Sequence, residues 1–374
     1  MQKILSSRDN YYELEEYLKT ESYGKIFVVC SHSFYKGNVY KKLNDLDLDI
    51  VYFDEFLPNP TYESVCLGLE EFKKNNCDSI IAVGGGSAID VAKCIKLFAN
   101  MNEDDLYLNQ KIVPNDIKLM AIPTTAGTGS EATHFAVIYY QGEKKSISDY
   151  SSIPETVLFD ESSLKTLPLY QKKATIMDAY SHAIESLWSV NSTDESKEYS
   201  CEAISVIRDN IDSYLENDID TFEEVLKASN LAGKAINISK TTAGHAMCYK
   251  LTSLYNIAHG HAAMLVNSEL LPYMMDNIDK CSDKRGASYL EDIFKYLSSL
   301  LNISYSELGD YFRGLLIKYD LYDVSVNEDD IDILVNSVNV ERLSNNPVKL
   351  DNDDIKKIYT KTFNRIKEVR NASN

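Results

Sequence analysis

Cys-x-x-Cys spacing is absent from this chain of 374 residues, and its seven cysteines (Cys30, Cys66, Cys77, Cys94, Cys201, Cys248, Cys281) are scattered and odd in number. That excludes a disulfide framework and a thiolate zinc site, so free thiols are expected. No run approaches the ~20 apolar residues that span a bilayer, and the opening stretch from Met1 to Arg8 lacks the apolar core and small-residue site of a signal peptide. A cytoplasmic protein with no membrane partner is expected. Basic residues are outnumbered, 38 Lys and Arg against 57 Asp and Glu, for a net charge of −19. Such a field repels polyphosphate backbones and excludes nucleic-acid binding. Linker-like Gly/Pro/Ser tracts and internal repeats are also missing, while 44% of residues are hydrophobic and 25% charged, so the chain should fold throughout.

The length suits two domains rather than one core. Between about residues 24 and 160, apolar runs at 25–29, 49–53, 79–83 and 118–122 alternate with longer helical patterns, which predicts a parallel sheet with helices on both faces. After Pro168 helical periodicities dominate, around 171–190, 194–216, 221–237, 261–276, 305–318 and 353–370. The expected domains are therefore 1–165, α/β, and 166–374, all-helical. The short polar connection near 160–168 points to a shared cleft rather than a long hinge.

Two loops follow strands in the first half. Gly84-Gly85-Gly86-Ser87 joins the run 79–83 to a helical pattern beginning Ala88-Ile89-Asp90. Glycines there let backbone amides approach a pyrophosphate, whose charge a helix N-terminus stabilises; a plain tight turn is the alternative. The stretch from Pro123 to Glu131, rich in Thr and Gly, leaves the run 118–122 at the same sheet edge. Two adjacent loops of this kind suit a dinucleotide.

Histidine is scarce, and four of the six (His182, His245, His259, His261) fall between 182 and 261. Asp178 and His182 stand at i and i+4 in an apolar helical stretch, one turn apart on one face. On one straight helix His245 and His259 would be ~21 Å apart, so the chain must turn near Tyr255-Asn256-Ile257-Ala258 if they share an ion. One carboxylate and three imidazoles suit Fe(II) or Zn(II) with a position left for a substrate oxygen.

These segments together resemble the iron-containing alcohol dehydrogenase family. The likeness runs through Pro58-Asn59-Pro60-Thr61, Gly84 to Asp90, Ala121 to Glu131, Met177-Asp178-Ala179 with His182-Ala183-Ile184-Glu185, and His245 to His259-Gly260. It implies a Rossmann-like N-terminal domain, an all-α C-terminal domain of the dehydroquinate synthase-like fold, and a cleft holding a metal and NAD(P). It further implies Asp178, His182, His245 and His259 as metal ligands. Implied cofactor contacts are Gly85, Gly86, Ser87, Thr124, Thr125, Thr128, Thr133 and Lys144, and Asp90, near the cofactor in relatives, would orient the nicotinamide or the substrate. A homodimer is the family's common state.

Two departures from the family pattern stand out. Tyr249 occupies the position where many members carry a second histidine, and a phenol with its pKa near 10 is a poorer base at neutral pH. Cys30-Ser31-His32-Ser33 replaces the acidic residue that NAD-preferring relatives place after the strand 25–29, so NADPH becomes acceptable beside NADH, with Ser31, His32 or Ser33 as contacts. The block from Ala243 to Ala262 resembles phosphonoacetaldehyde reductases, which implies reduction of a small aldehyde to 2-hydroxyethylphosphonate. Lys250 would neutralise the anionic head, and Tyr249, His261 or water would protonate the product. Alternatives are a short-chain alcohol or polyol dehydrogenase, a dehydroquinate-synthase-like lyase, or a metal-free binding protein.

Overall fold

The computed structural model describes residues 2–21, 23–339 and 343–373. The chain divides into two compact units, one reaching through Leu167 and taking in Asn217–Asn230, the other formed by Pro168–Glu216 and residues from Leu231 onward. No described helix is long and apolar enough to cross a membrane.

In the first unit the strands are β1 (Lys3–Ser6), β2 (Lys25–Cys30), β3 (Asp49–Phe53), β4 (Ser79–Gly84), β5 (Lys118–Pro123) and β8 (Thr156–Phe159). They form one sheet in the order β1-β8-β5-β4-β2-β3, every pair parallel. β4 is buried along its length, which is why it reads as a continuous apolar run rather than an alternation. Helices α1 (Arg8–Thr20), α2 (Asn38–Asp45), α3 (Tyr62–Lys74) and α4 (Gly86–Phe98) provide connections, and α5 (Glu161–Lys165) follows the last strand. The chain runs from β2 outward to β3 and returns to β4 on the other side of β2. The direction of winding thus reverses between β2 and β4, where open parallel sheets bind ligands at their carboxyl ends.

Beyond the four expected strands the sheet gains β1 and β8, and two further features lie outside the sequence expectation. An antiparallel hairpin, β6 (Phe135–Tyr140) and β7 (Glu143–Ser148), turns through Gln141 and Gly142, both with positive φ. The segment Asn217–Asn230, expected in the helical domain, clusters with the first unit instead. Polar side chains draw it there: Glu223 pairs with Arg8 at 2.8 Å, and Asn230 donates to Gln2 Oε1 and Glu131 Oε1, each at 3.3 Å.

The second unit is helical: α6 (Leu169–Trp188), α7 (Asp194–Leu215), the remainder of α8 (Phe222–Ser239), α9 (Ala243–Tyr255), α10 (His259–Asp276), α11 (Ala287–Leu300), α12 (Leu308–Lys318), α13 (Ile331–Ser337) and α14 (Asn352–Ser373). α10 packs on α6, α9, α12 and α14 and is buried along nearly its whole length. An all-round apolar helix of this kind occupies the centre of its bundle, and any charge on its neighbours' inward faces must find a partner.

Candidate active site

In the first unit the register sets Cys30 beside Val83 and Gly84 beside Pro123, so the chain leaves β2, β4 and β5 at one level. Ser31 N–H donates to Val83 O at 3.3 Å and Thr124 N–H to Gly84 O at 3.0 Å. Ser31, the turn Gly84–Ser87 and the Thr124–Thr128 loop are therefore neighbours. Helix α4 begins at Gly86 with Gly85 as its N-cap and no side chain capping it, which leaves the amide end available to an anion. Gly85, Gly86, Ser87, Thr124, Thr125 and Thr128 are all partly exposed around it.

Asp90 and Thr133 both make contacts within the protein. Asp90 uses both oxygens within the protein, accepting from Ser130 Oγ at 2.5 Å and from Val137 N–H at 3.0 Å. Thr133 is buried, its Oγ1 3.3 Å from the Lys93 ammonium. Lys93, fully buried, donates to Thr133 O at 2.7 Å and Phe135 O at 2.8 Å. Burial lowers its pKa to about 8, with Asp90 and Glu131 opposing. Asp90 and Lys93, one turn apart on α4, thus fasten the Thr/Gly-rich loop and the start of β6 to the phosphate-loop helix. Lys144 lies on β7 opposite Tyr139, and its charge favours the Asp90 carboxylate. His32 Nδ1 meets Asp54 Oδ2 at 2.8 Å. A carboxylate that follows β3 thus reaches the segment after β2, a pairing no local pattern announces.

In the second unit Asp178, His182 and Glu185 recur along α6 at i, i+4 and i+7, one stripe of a buried helix. His245 stands near the start of α9 and His259 opens α10. The required turn lies between them: α9 ends at Tyr255, Asn256 is left-handed (φ 50°), and α10 begins three residues later. Donor atoms of Asp178, His245 and His259 lie within 4.8 Å of one another. His182 adjoins them, its Nε2 3.9 Å from Asp178 Oδ1 and its ring stacked on His245 at 4.4 Å. Bonds of about 2.1 Å to one ion would set neighbouring donors about 3.0–3.5 Å apart, and His245 Nε2 lies 3.4 Å from Asp178 Oδ1. The donor set thus fits a borderline divalent ion.

Gly260 makes this convergence possible. A Cβ there would come within 2.2 Å of Ala174 O and 2.4 Å of Asp178 Cβ, so only glycine lets the first turn of α10 lie against α6 and bring His259 to Asp178. Burial alone would raise the Asp178 carboxyl, but the three histidines win and hold it low.

Glu185, to which the sequence reading gave no role, is fully buried with its Oε1 2.6 Å from His245 Nδ1. Its position as third member of the α6 stripe was the available signal. Burial opposes both charges, yet their attraction holds the glutamate down to about 2 and raises His245 to about 9.

Tyr249, one turn after His245, stacks on His259 with ring centroids 5.2 Å apart. His261 does not join the site as a proton donor. Its Nδ1 meets Tyr170 Oη at 3.1 Å, its Nε2 meets Leu321 O at 2.5 Å, and burial lowers its pKa to about 4. Tyr170 also accepts from Ala258 N–H at 2.9 Å, so this pair pins the start of α10. Lys250 projects about 140° around α9 from His245, away from the ligand stripe.

The model of the iron-containing alcohol dehydrogenase family matches residues 2–161, and that of the family's C-terminal part matches 172–363. Alcohol dehydrogenase 4 of Schizosaccharomyces pombe is 29% identical over 361 residues, covering 93% of this chain and 84% of its own. An NADPH-dependent butanol dehydrogenase of Clostridium saccharobutylicum is 28% identical over 85% of this chain and 84% of its own. Among solved structures, a sulfoacetaldehyde reductase of Bifidobacterium kashiwanohense in complex with NAD+ superposes with a TM-score of 0.84 at 23% identity, covering 96% of each chain. With a parallel α/β unit, a helical unit and a metal-fitting donor set in place, the chain belongs to the iron-containing alcohol dehydrogenase family and is an NAD(P)-linked, metal-dependent alcohol/aldehyde dehydrogenase.

Proposed function

We propose that the protein reduces phosphonoacetaldehyde to 2-hydroxyethylphosphonate, with Asp178, His182, His245 and His259 holding one Fe(II) or Zn(II) ion and NADPH or NADH as reductant. The observation that carries this reading is the clustering of Asp178, His245 and His259 within 4.8 Å on two buried helices and the start of a third. The ion supplies Lewis-acid polarisation of a carbonyl oxygen, and the reduced nicotinamide supplies hydride to its carbon.

The chain's own residues bind and orient the reactants. Gly85, Gly86 and the amide end of α4 take the pyrophosphate, with the hydroxyls of Ser87, Thr124, Thr125 and Thr128 around it. Asp90 and Lys93 keep the second loop in shape. Ser31 and His32 would contact a 2′-phosphate and Asp54 the ribose hydroxyls, so either nucleotide could serve. Tyr249, beside His259, delivers the proton to the product oxygen directly or through water.

For the substrate, the block Ala243–Ala262 supports an aldehyde with an anionic head. Lys250 is partly exposed, forms no ion pair among the described residues and lies off the ligand stripe of α9, so its ammonium would meet the far, anionic end of such a substrate rather than its aldehyde oxygen. The sulfoacetaldehyde reductase above is, by its name, an enzyme of an anionic aldehyde; at 23% identity it supports the fold and leaves the substrate to experiment.

The test is anaerobic oxidation of NADPH and of NADH by the Fe(II)-loaded protein, with phosphonoacetaldehyde against an uncharged aldehyde of similar size. A preference of tenfold or more in kcat/KM, roughly 1.4 kcal/mol, supports the phosphonate reading. Equal rates would leave a general aldehyde reductase, and no turnover of any aldehyde would overturn the proposal.

A further inference from the structure

We infer that Glu185 is a positioning residue for the metal: it holds His245 in the tautomer that presents Nε2 beside Asp178, and it sets how tightly the ion is bound. The inference rests on the ligand assignment proposed above.

The carboxylate is completely buried, yet both oxygens are engaged. Oε1 lies 2.6 Å from His245 Nδ1 and accepts from Asn267 Nδ2 at 2.8 Å. Oε2 accepts from Thr242 N–H at 2.6 Å and Thr242 Oγ1 at 2.9 Å, and lies 3.4 Å from His245 N–H. Thr242 is the N-cap of α9 and His245 its third residue, so a side chain from α6 satisfies amides at the start of α9 that no residue of α9 caps. An anion at that position also meets the positive end of the helix. Trp188 Nε1 donates to Thr242 Oγ1 at 3.0 Å, which leaves the Thr242 hydroxyl proton for Glu185 and fixes the direction of the chain of bonds.

An ionised carboxylate only accepts, so the imidazole nitrogen facing it must carry the proton. With Nδ1–H committed to Glu185, Nε2 is the nitrogen that faces Asp178 Oδ1, 3.4 Å away; a proton bridges that pair when no ion is bound, and the same nitrogen would offer its lone pair to a divalent ion. Two buried carboxylates, Asp178 and Glu185, would then balance one divalent ion. Glu185 contributes through the imidazole rather than as a ligand, since its oxygens are occupied elsewhere.

Space around the network is equally restricted. A Cβ on Gly244 would lie 2.0 Å from Asn267 Oδ1 and 2.5 Å from Glu185 Oε1. The absence of a side chain at 244 is what admits the carboxylate and its amide partner between α6, α9 and α10.

The test compares Glu185→Gln with His245→Ala and the parent protein, reading the Zn(II) dissociation constant by chelator competition and the visible spectrum of the Co(II) form, with circular dichroism as the check on folding. Glutamine keeps the volume but presents an amide where the network needs only acceptors. Weakening of 10–100-fold with a shifted Co(II) spectrum is expected in Glu185→Gln. Parent-like affinity and spectrum there, with His245→Ala defective, would overturn the role of Glu185 alone. Parent-like affinity in both would overturn the ligand assignment itself. Should Glu185→Gln not fold, selectively 15N-histidine-labelled, Zn(II)-loaded parent protein decides the matter by NMR. A protonated Nδ1 and zinc-bound Nε2 on His245 support the inference, and coordination through Nδ1 overturns it.

Discussion

The nucleotide loops and the metal cluster solve opposite problems. At the carboxyl edge of the sheet, partly exposed glycines, hydroxyls and free helix amides are offered to a ligand that brings its own charge, and the tertiary structure has only to hold two loops at one level. On α6, α9 and α10 the charges belong to the protein and are buried, so each is answered by another side chain before any ion is considered: Asp178 by three histidines, Glu185 by His245, Thr242 and Asn267. A site made of backbone tolerates variation in the side chains around it. One made of buried charges does not, because removing one partner leaves another uncompensated.

The sharpest way to break this comparison is at the cluster. His259→Ala should abolish metal retention and lower kcat/KM by about a thousandfold or more, metal content and turnover falling together. Activity surviving with metal retained would refute the ligand set. Gly260→Ala comes next: its methyl meets the Ala174 carbonyl at 2.2 Å, and a loss of about 3 kcal/mol, together with weaker metal binding, is expected from denaturant unfolding. A parent-like midpoint would show that α10 can move away from α6 without harm.

At the nucleotide side the expected effect depends on pH. Lys93 has its pKa lowered from 10.5 to about 8, so between those values the unfolded chain binds a proton that the folded chain does not. The cost of its burial is in full force below pH 8 and is relieved as pH rises to 10.5. The stability of the parent relative to Lys93→Met should therefore climb by up to about 3 kcal/mol across that window. Parallel unfolding curves would show that the lysine keeps an ordinary pKa. The smallest effect belongs to Lys250→Ala, which should raise KM about tenfold for anionic aldehydes and leave uncharged ones unchanged. An equal change for both would remove its part in substrate choice.

Much of the site was legible because its residue types are rare or its spacing regular. With six histidines in the chain, four within eighty residues draw the eye, and Asp178 with His182 already shares a helix face. The turn at Asn256 could be required from distance alone. His261 was misplaced for the same reason: two residues after His259 it looks like a member of the cluster, but on a helix it faces nearly the opposite way, toward Tyr170 and Leu321. That Asp90 also braces Ser130 and the Val137 amide was not legible, because those partners lie 40 and 47 residues further along the chain.

By itself, then, the sequence determined the parallel sheet, the helical half, the two loops that follow β4 and β5 and the donor types for a divalent ion, since periodicity and local spacing are properties of a single segment. Only the tertiary structure decided that Glu185 faces His245, that Asp54 meets His32, that the hairpin 135–148 is fastened by Lys93, and that residues 217–230 pack with the first unit. Each of these joins elements far apart in the chain or turns on which way a side chain points. What fixes them is the requirement that buried charges and amides find partners, a condition met only once the helices have packed.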